Sequence, residues 1–371
     1  MVVNRMYEVD VETIQRLIKR HYEVKLPLMI YGGFGLGKST IVQDEAKRIA
    51  KTRKREFVDW NRTDFKTKLE LFSNPKKYFV LIDQRLSQFD QTDLRGLPEF
   101  KGENDYVDWK VPMWIQFLTN EDSDGIVFLD EINLASPSVL ASAYQLLHDR
   151  CMGDVSISKN ISFISCGNRS QDRAHTYSLP YPLRDRMSEV ELGFNSDLWF
   201  KWALEHQIDG RIIGYLKFQE SYLNKIDSNE NIKPITPRGW ERVSRLIKDV
   251  PTKDIKDLVS VGVNEGAAIQ MVAFLKLSDK VDFKELLANP KLMEKYQEPD
   301  MKYSILSNLA EIYKNKLDTF EPLLAICDYV EPDFGVVLLK LMRGFKPKHF
   351  DKYILEYKQG TKIMDKYMKY F

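Results

Sequence analysis

Three cysteines stand in 371 residues, Cys151, Cys166 and Cys327, too far apart for a metal-ligand spacing or a disulfide framework. Their scarcity excludes a small disulfide-stapled domain and leads us to expect the reducing cytoplasm. The five histidines are scattered, so they compose no zinc motif. Long hydrophobic runs are missing as well: no window approaches the ~20 apolar residues of a membrane span. The opening Met1-Val2-Val3-Asn4-Arg5 lacks the apolar core of a signal peptide. Nor is either charge in excess, with 55 Lys and Arg against 54 Asp and Glu for a formal net charge of +1. A globally basic nucleic-acid binder is thereby disfavoured, and only local patches are left open. No internal repeat or low-complexity tract is present. What the chain does have is 43% hydrophobic residues, over a length that predicts two or three domains with a substantial core.

The most informative stretch runs Leu28-Met29-Ile30-Tyr31-Gly32-Gly33-Phe34-Gly35-Leu36-Gly37-Lys38-Ser39-Thr40. An apolar strand turns here into a glycine-rich loop that matches G-x-x-x-x-G-K-[ST] in full. Glycines let successive backbone N–H groups curl around phosphate oxygens, a role for Gly32, Gly33, Gly35, Leu36 and Gly37. The lysine, Lys38, reaches the β- and γ-phosphates, and the hydroxyl, Ser39, holds Mg²⁺. Thr40 to Lys54 predicts a helix with Ile41, Val42, Ala46, Ile49 and Ala50 on one side, so its N-terminal dipole faces the phosphates.

A second motif, Ile126-Val127-Phe128-Leu129-Asp130-Glu131, ends four large apolar residues in two carboxylates. A buried parallel strand places that pair at the end where ligands of open α/β sheets sit. In a phosphate-loop enzyme the first, Asp130, holds Mg²⁺, and the second, Glu131, polarises the attacking water. The competing reading is an ordinary buried strand with a capping acid. Ile161 to Asn168 predicts a further strand ending in a polar amide, Asn168, able to hydrogen-bond the attacking water or simply to form a turn after Gly167.

Around these motifs the apolar spacing predicts a helix from Val9 to His21 capped by Asp10. Strands follow at Glu56–Trp60 and Tyr78–Asp83, with a helical segment near Phe65–Phe72 between them. That alternation is the signature of a parallel α/β sheet. A helix is expected over Leu140–Arg150, a hairpin over Cys151–Ile157, and a last strand at Glu189–Leu192, preceded by Arg184 and Arg186 in a proline-bounded turn. Those arginines suit a subunit surface, or else a salt-bridged helix. Beyond residue 195 the pattern is helical. Thr236 as N-cap and Pro237 at the first position start a helix that puts Arg238 in its first turn, against the dipole preference for acids. Such a cation reaches a phosphate or makes a structural ion pair. In the tail, Lys358, Lys362 and Lys366 with Tyr357, Tyr367 and Tyr370 between them read as a solvated helix face.

Loop, Asp-Glu strand, strand-end Asn, arginine turn and Pro-Arg helix, in this order over residues 10 to 250, resemble the AAA+ ATPases of the MoxR-like branch. The phrases that carry the resemblance are Phe128-Leu129-Asp130-Glu131-Ile132-Asn133-Leu134-Ala135, Cys166-Gly167-Asn168-Arg169, Pro182-Leu183-Arg184-Asp185-Arg186-Met187 and Thr236-Pro237-Arg238-Gly239-Trp240-Glu241. It implies an α/β P-loop core at 1–195 with a parallel sheet flanked by helices, a helical lid at 196–280 and a helical extension at 281–371. By the same resemblance Lys38, Ser39 and Thr40 belong to Walker A, Asp130 and Glu131 to Walker B, Asn168 to sensor 1 and Arg238 to sensor 2. Arg186 matches the arginine finger, although Met187 stands where the family commonly has Phe, so Arg184 competes for the role. Segments Thr92–Pro98 through Trp109–Pro112, and Cys151–Ser158, look like inserts that project towards a client. The implied activity is Mg²⁺-dependent ATP hydrolysis in a homo-oligomeric ring, a hexamer, that remodels a protein partner in the manner of a chaperone. The C-terminal part is similar to a subgroup paired with a von Willebrand A-like or metallopeptidase-like protein. A nucleic-acid-directed motor and a slow nucleotide-gated scaffold are the alternatives, the first disfavoured by near-neutral charge.

Overall fold

A computed structural model describes residues 6–101, 106–169, 177–227, 229, 231–356 and 367. The chain divides into two compact units, Met1–Phe194 and Asn195–Phe371.

The first unit is built on strands β1 (Glu8–Val9), β2 (Leu28–Gly32), β3 (Glu56–Asp59), β4 (Tyr78–Arg85), β5 (Leu97–Lys101), β6 (Tyr106–Lys110), β7 (Gly125–Asp130), β8 (Cys151–Met152), β9 (Val155–Ser156), β10 (Ile161–Gly167) and β11 (Ser188–Leu192). Seven of them form one sheet in the order β1-β11-β2-β10-β7-β4-β3, with every neighbouring pair parallel. The central strands read as continuous apolar runs because both faces of the sheet are covered. Side chains alternate between those faces. Leu28, Ile30, Phe128 and Ile164 join Ile14 and Ile18 of helix α1 (Val11–Val24) and Val42 and Ala46 of helix α2 (Lys38–Thr52). Met29, Tyr31, Val127, Leu129 and Phe163 face the other way, with Ile115 and Phe117 of helix Met113–Leu118 and Val139 and Leu146 of helix Pro137–His148.

The expected helix from Val9 begins later, at Val11. Asp10 holds an extended conformation (φ −82°, ψ 174°) so that its carboxylate can accept from Thr13 N at 2.8 Å, a cap that contributes about 1 kcal/mol. That geometry leaves Val9 extended, and it enters β1 opposite Leu192. The segment around Pro98 and Trp109 folds as an antiparallel hairpin of β5 and β6, and β8 with β9 forms a second hairpin turning at Gly153.

Among its described residues the second unit is helical apart from one bridge between Lys225 and Ile235. Thr236 caps helix Pro237–Leu246, its hydroxyl accepting from Gly239 N at 3.1 Å. Trp240 is fully buried and donates its Nε1–H to Tyr222 O at 2.7 Å. Helix Gly210–Phe218 lies directly on helix Pro299–Asn315, and a β-carbon at Gly214 would collide with Ser307 Oγ. The tail residues Lys358, Lys362, Lys366, Tyr357 and Tyr370 fall outside the described residues; Tyr367 is buried and donates to Cys327 O at 3.0 Å. No described helix is long and apolar enough to cross a membrane.

Candidate functional site

The site sits where the parallel strands of the first unit end. β2 stops at Gly32 and α2 starts at Lys38, with Gly35 at φ 69° and Gly37 at φ 81° between them. No atom crowds a β-carbon at Gly37, so its positive φ is what requires glycine there. The loop delivers Lys38 into a nest of acceptors: its ammonium donates to Gly32 O at 2.7 Å, to Gly33 O at 3.1 Å and to Asn168 Oδ1 at 3.4 Å. Leu36 packs on the core beneath α2, while Thr40 is exposed.

Adjacent strands bring the acids. Ser39 Oγ donates to Asp130 Oδ2 at 2.9 Å, and Asp130 Oδ1 accepts from Glu131 N at 3.0 Å. Glu131 adopts a left-handed conformation (φ 54°, ψ 33°), a strained state for a residue with a β-carbon and costly by ~1 kcal/mol. The turn carries its carboxylate towards Ser87, whose hydroxyl donates to Oε2 at 2.5 Å. Asn168 is fixed by its backbone: its N–H donates to Asn133 Oδ1 at 3.1 Å and its carbonyl accepts from Asn133 Nδ2 at 2.7 Å. The amide side chain is thereby left to face Lys38.

One acid here has no counterpart in the sequence reading. Asp83, near the end of β4, has a buried Oδ1 with no hydrogen-bond partner among the described residues. Burial, and then the charge of Asp130, push its carboxyl up to about 6. A buried unpartnered carboxylate oxygen beside a hydroxyl–carboxylate pair is an arrangement suited to a hard cation with its waters. No cluster of three His, Cys, Asp or Glu residues suited to a metal occurs among the described residues.

The arginines are arranged differently. Arg184 grips Glu189 through Nε to Oε1 at 2.8 Å and Nη2 to Oε2 at 2.6 Å. Tyr31 OH donates to the same Oε1 at 3.1 Å. Arg186 is half exposed, and its hydrogen-bond partner among the described residues is the neighbouring Asp185, at 3.3 Å. Arg169 pairs with Glu191 at 3.2 Å and lies against Gly33. Arg238 is exposed in the first turn of its helix in the second unit. Lys38, Ser39, Asp130, Glu131 and Asn168 thus converge, whereas Arg184 and Arg186 belong to a separate turn.

Asp83 was open to discovery, because Phe79-Val80-Leu81-Ile82-Asp83 repeats the apolar-run-then-acid pattern of 126–130. Ser87, Asn133, Tyr31 and Glu189 carried no local signal, since their partners arrive from other elements.

The chain matches no protein-family model and no curated protein. Among solved structures it is similar to a mutant of RuvB from Thermotoga maritima, at 15% identity over 77% of this chain and 74% of that one, with a TM-score of 0.33. It is similar also to NtrX from Brucella abortus, at 14% identity over 96% of this chain and 67% of that one, with a TM-score of 0.32. The ADP complex of that NtrX matches at 12% identity over 95% of this chain and 67% of that one, again at 0.32. At these scores the likeness carries no inference about the chain.

Proposed function

We propose that this chain is a Mg²⁺-dependent ATPase of the AAA+ type, of the MoxR-like branch, acting as a ring whose product is the remodelling of a protein partner. The observation that carries the reading is the convergence, at the ends of adjacent parallel strands, of Lys38 and Asn168 with the Ser39–Asp130 pair. That is the donor set which holds nucleotide phosphates and their metal.

The residues fit a nucleotide and its Mg²⁺. Backbone N–H groups of 33–38 at the head of α2 would cradle phosphate oxygens, and the Lys38 ammonium would exchange its carbonyl acceptors for them. Ser39 and Asp130 would hold the metal, which supplies charge neutralisation on the phosphate oxygens when bound. Glu131 orients and deprotonates the attacking water once its carboxylate leaves Ser87. Asn168, tied down by Asn133, fixes the water's position. Arg186, exposed beside Asp185, is offered to a neighbouring subunit, and Arg238 reports the nucleotide from the helical lid, which we take as 196–280 with 281–371 as its extension. A site completed by another subunit makes oligomerisation a control on activity.

Glu131→Gln tests this directly. The variant is expected to bind ATP, to turn it over at least about 100-fold more slowly, and to run as a ring-sized particle by light scattering in Mg-ATP. Wild-type turnover in Glu131→Gln, or a monomer with and without Mg-ATP, defeats the reading.

A further inference from the structure

Two arginines lie two residues apart before β11, yet the fold treats them in opposite ways. The turn that carries them is pinned at both flanks: Leu183 and Met187 are buried in the core on the Met29–Tyr31 face of the sheet. Its backbone closes on itself, with Asp185 N donating to Tyr181 O at 2.9 Å, Arg186 N to Leu183 O at 3.3 Å and Met187 N to Arg184 O at 3.1 Å. Ser188 N then donates to Pro27 O at 3.1 Å, which starts the pairing of β11 with β2. Between the pins only Arg184, Asp185 and Arg186 point outward, and Arg184 is claimed from within its own chain. Its two-pronged contact to Glu189 is the geometry in which guanidinium and carboxylate match best. Glu189 also accepts from Tyr31, the residue immediately before Gly32 of the phosphate loop.

We propose that Arg184 is a positioning residue and not the trans-acting finger: through Glu189 and Tyr31 it ties the arginine turn to the phosphate-loop strand, and so holds Arg186 in register for the neighbouring subunit. The inference rests on the ring-ATPase reading above. The contact is local and already complete in the single chain, so Arg184 would have to abandon two hydrogen bonds, and leave Glu189 with Tyr31 alone, before it could reach another subunit. Arg186 would give up one exposed contact to Asp185. The Arg184 side chain is 39% exposed, although that of Glu189 is only 17%, so solvent screening keeps the ion pair's own contribution to stability modest. Its role is geometric, because a small displacement of a charged group at a reacting centre costs far more in rate than in folding.

The test is a reciprocal exchange. Glu189→Ala and Arg184→Ala should each lower kcat about 10- to 100-fold, leave the affinity for a fluorescent ADP analogue near wild type, and fail to add in kcat when combined. Arg184→Ala should also keep the melting temperature, whereas Glu189→Ala lowers it because the buried Tyr31 hydroxyl loses its acceptor. The swap Arg184→Glu with Glu189→Arg rebuilds the pair in reverse and should recover most of the lost kcat. A free finger behaves otherwise: Glu189→Ala would keep full turnover, and the swap would stay inactive although folded and able to bind nucleotide. Either result overturns the inference. Failure of the ring reading registers separately, as an Arg186→Ala protein of undiminished turnover, and takes the inference with it.

Discussion

Strand β7 is bracketed by two aspartates that meet opposite fates. Asp124, immediately before it, is fully buried, with one oxygen hydrogen-bonded and the other ion-paired. Its Oδ1 accepts from Tyr22 OH at 2.7 Å, and its Oδ2 lies 3.4 Å from Nε of both Arg53 and Arg55, close enough for ion pairing though outside hydrogen-bond geometry. Asp130, at the far end, is half-buried, partnered by one hydroxyl and one N–H, and has the carboxyl of Asp83 on the neighbouring strand for company. One end of the strand neutralises its acid with two guanidinium groups; the other sets two carboxyls near each other with no salt bridge to either among the described residues. Burial therefore does not distinguish the two aspartates by their surroundings, whereas the charge of their neighbours does.

Three substitutions sharpen that contrast. The largest effect is expected at the acid-rich end: on the proposed function Lys38→Ala removes the cation meant for the phosphates and should weaken nucleotide binding by ~100-fold, read by equilibrium titration with a fluorescent ADP analogue. Asp124→Ala should do the reverse, leaving turnover per folded molecule unchanged while costing about 2–4 kcal/mol in urea unfolding, because it strips a buried acceptor from Tyr22 and a counter-charge from Arg55. Loss of nucleotide affinity in this variant, with stability intact, would break the comparison.

The smallest effect concerns Asp83 and its sign is informative. Its folded carboxyl is raised from 3.8 to about 6. Between those values the native state binds more protons than the unfolded chain, so this residue's contribution to stability falls as pH rises through the interval. At pH 7 the charged carboxylate is a net cost, which Asp83→Asn removes. The variant should be more stable than wild type at pH 7 by up to about 1–2 kcal/mol after allowance for partial exposure, with the difference vanishing near pH 4. An acid that merely stabilises the strand end would show the opposite sign.

How much of this was legible beforehand varies by residue. Lys38, Ser39, Asp130 and Asn168 are recoverable from the chain because each sits where an apolar run ends and a helix or turn begins, and such junctions have local spacing rules. The capped helix starts at Asp10 and Thr236 were readable for the same reason. Arg184 and Arg186 looked equivalent, since two arginines at i and i+2 differ in nothing that a sequence window can register. What separates them is Glu189, which β11 brings back across the turn. Val9 illustrates a similar limit: apolar periodicity extended the helix to it, but pairing with β11 held it as a strand.

The amino-acid sequence by itself determined the glycine-rich loop between strand and helix, the two-acid strand end, the α/β alternation of the first unit and the helical character of the second, because these follow from backbone conformation and the periodicity of burial. Only the tertiary structure decided that Glu131 is turned left-handed onto Ser87, that Asp83 Oδ1 has no hydrogen-bond partner among the described residues, and that Arg184 is spent on Glu189 while Arg186 is not. The physical reason is that a side chain's charge state and availability depend on which other strands arrive beside it, and the strand order β11-β2-β10-β7-β4 places together residues that the chain holds far apart.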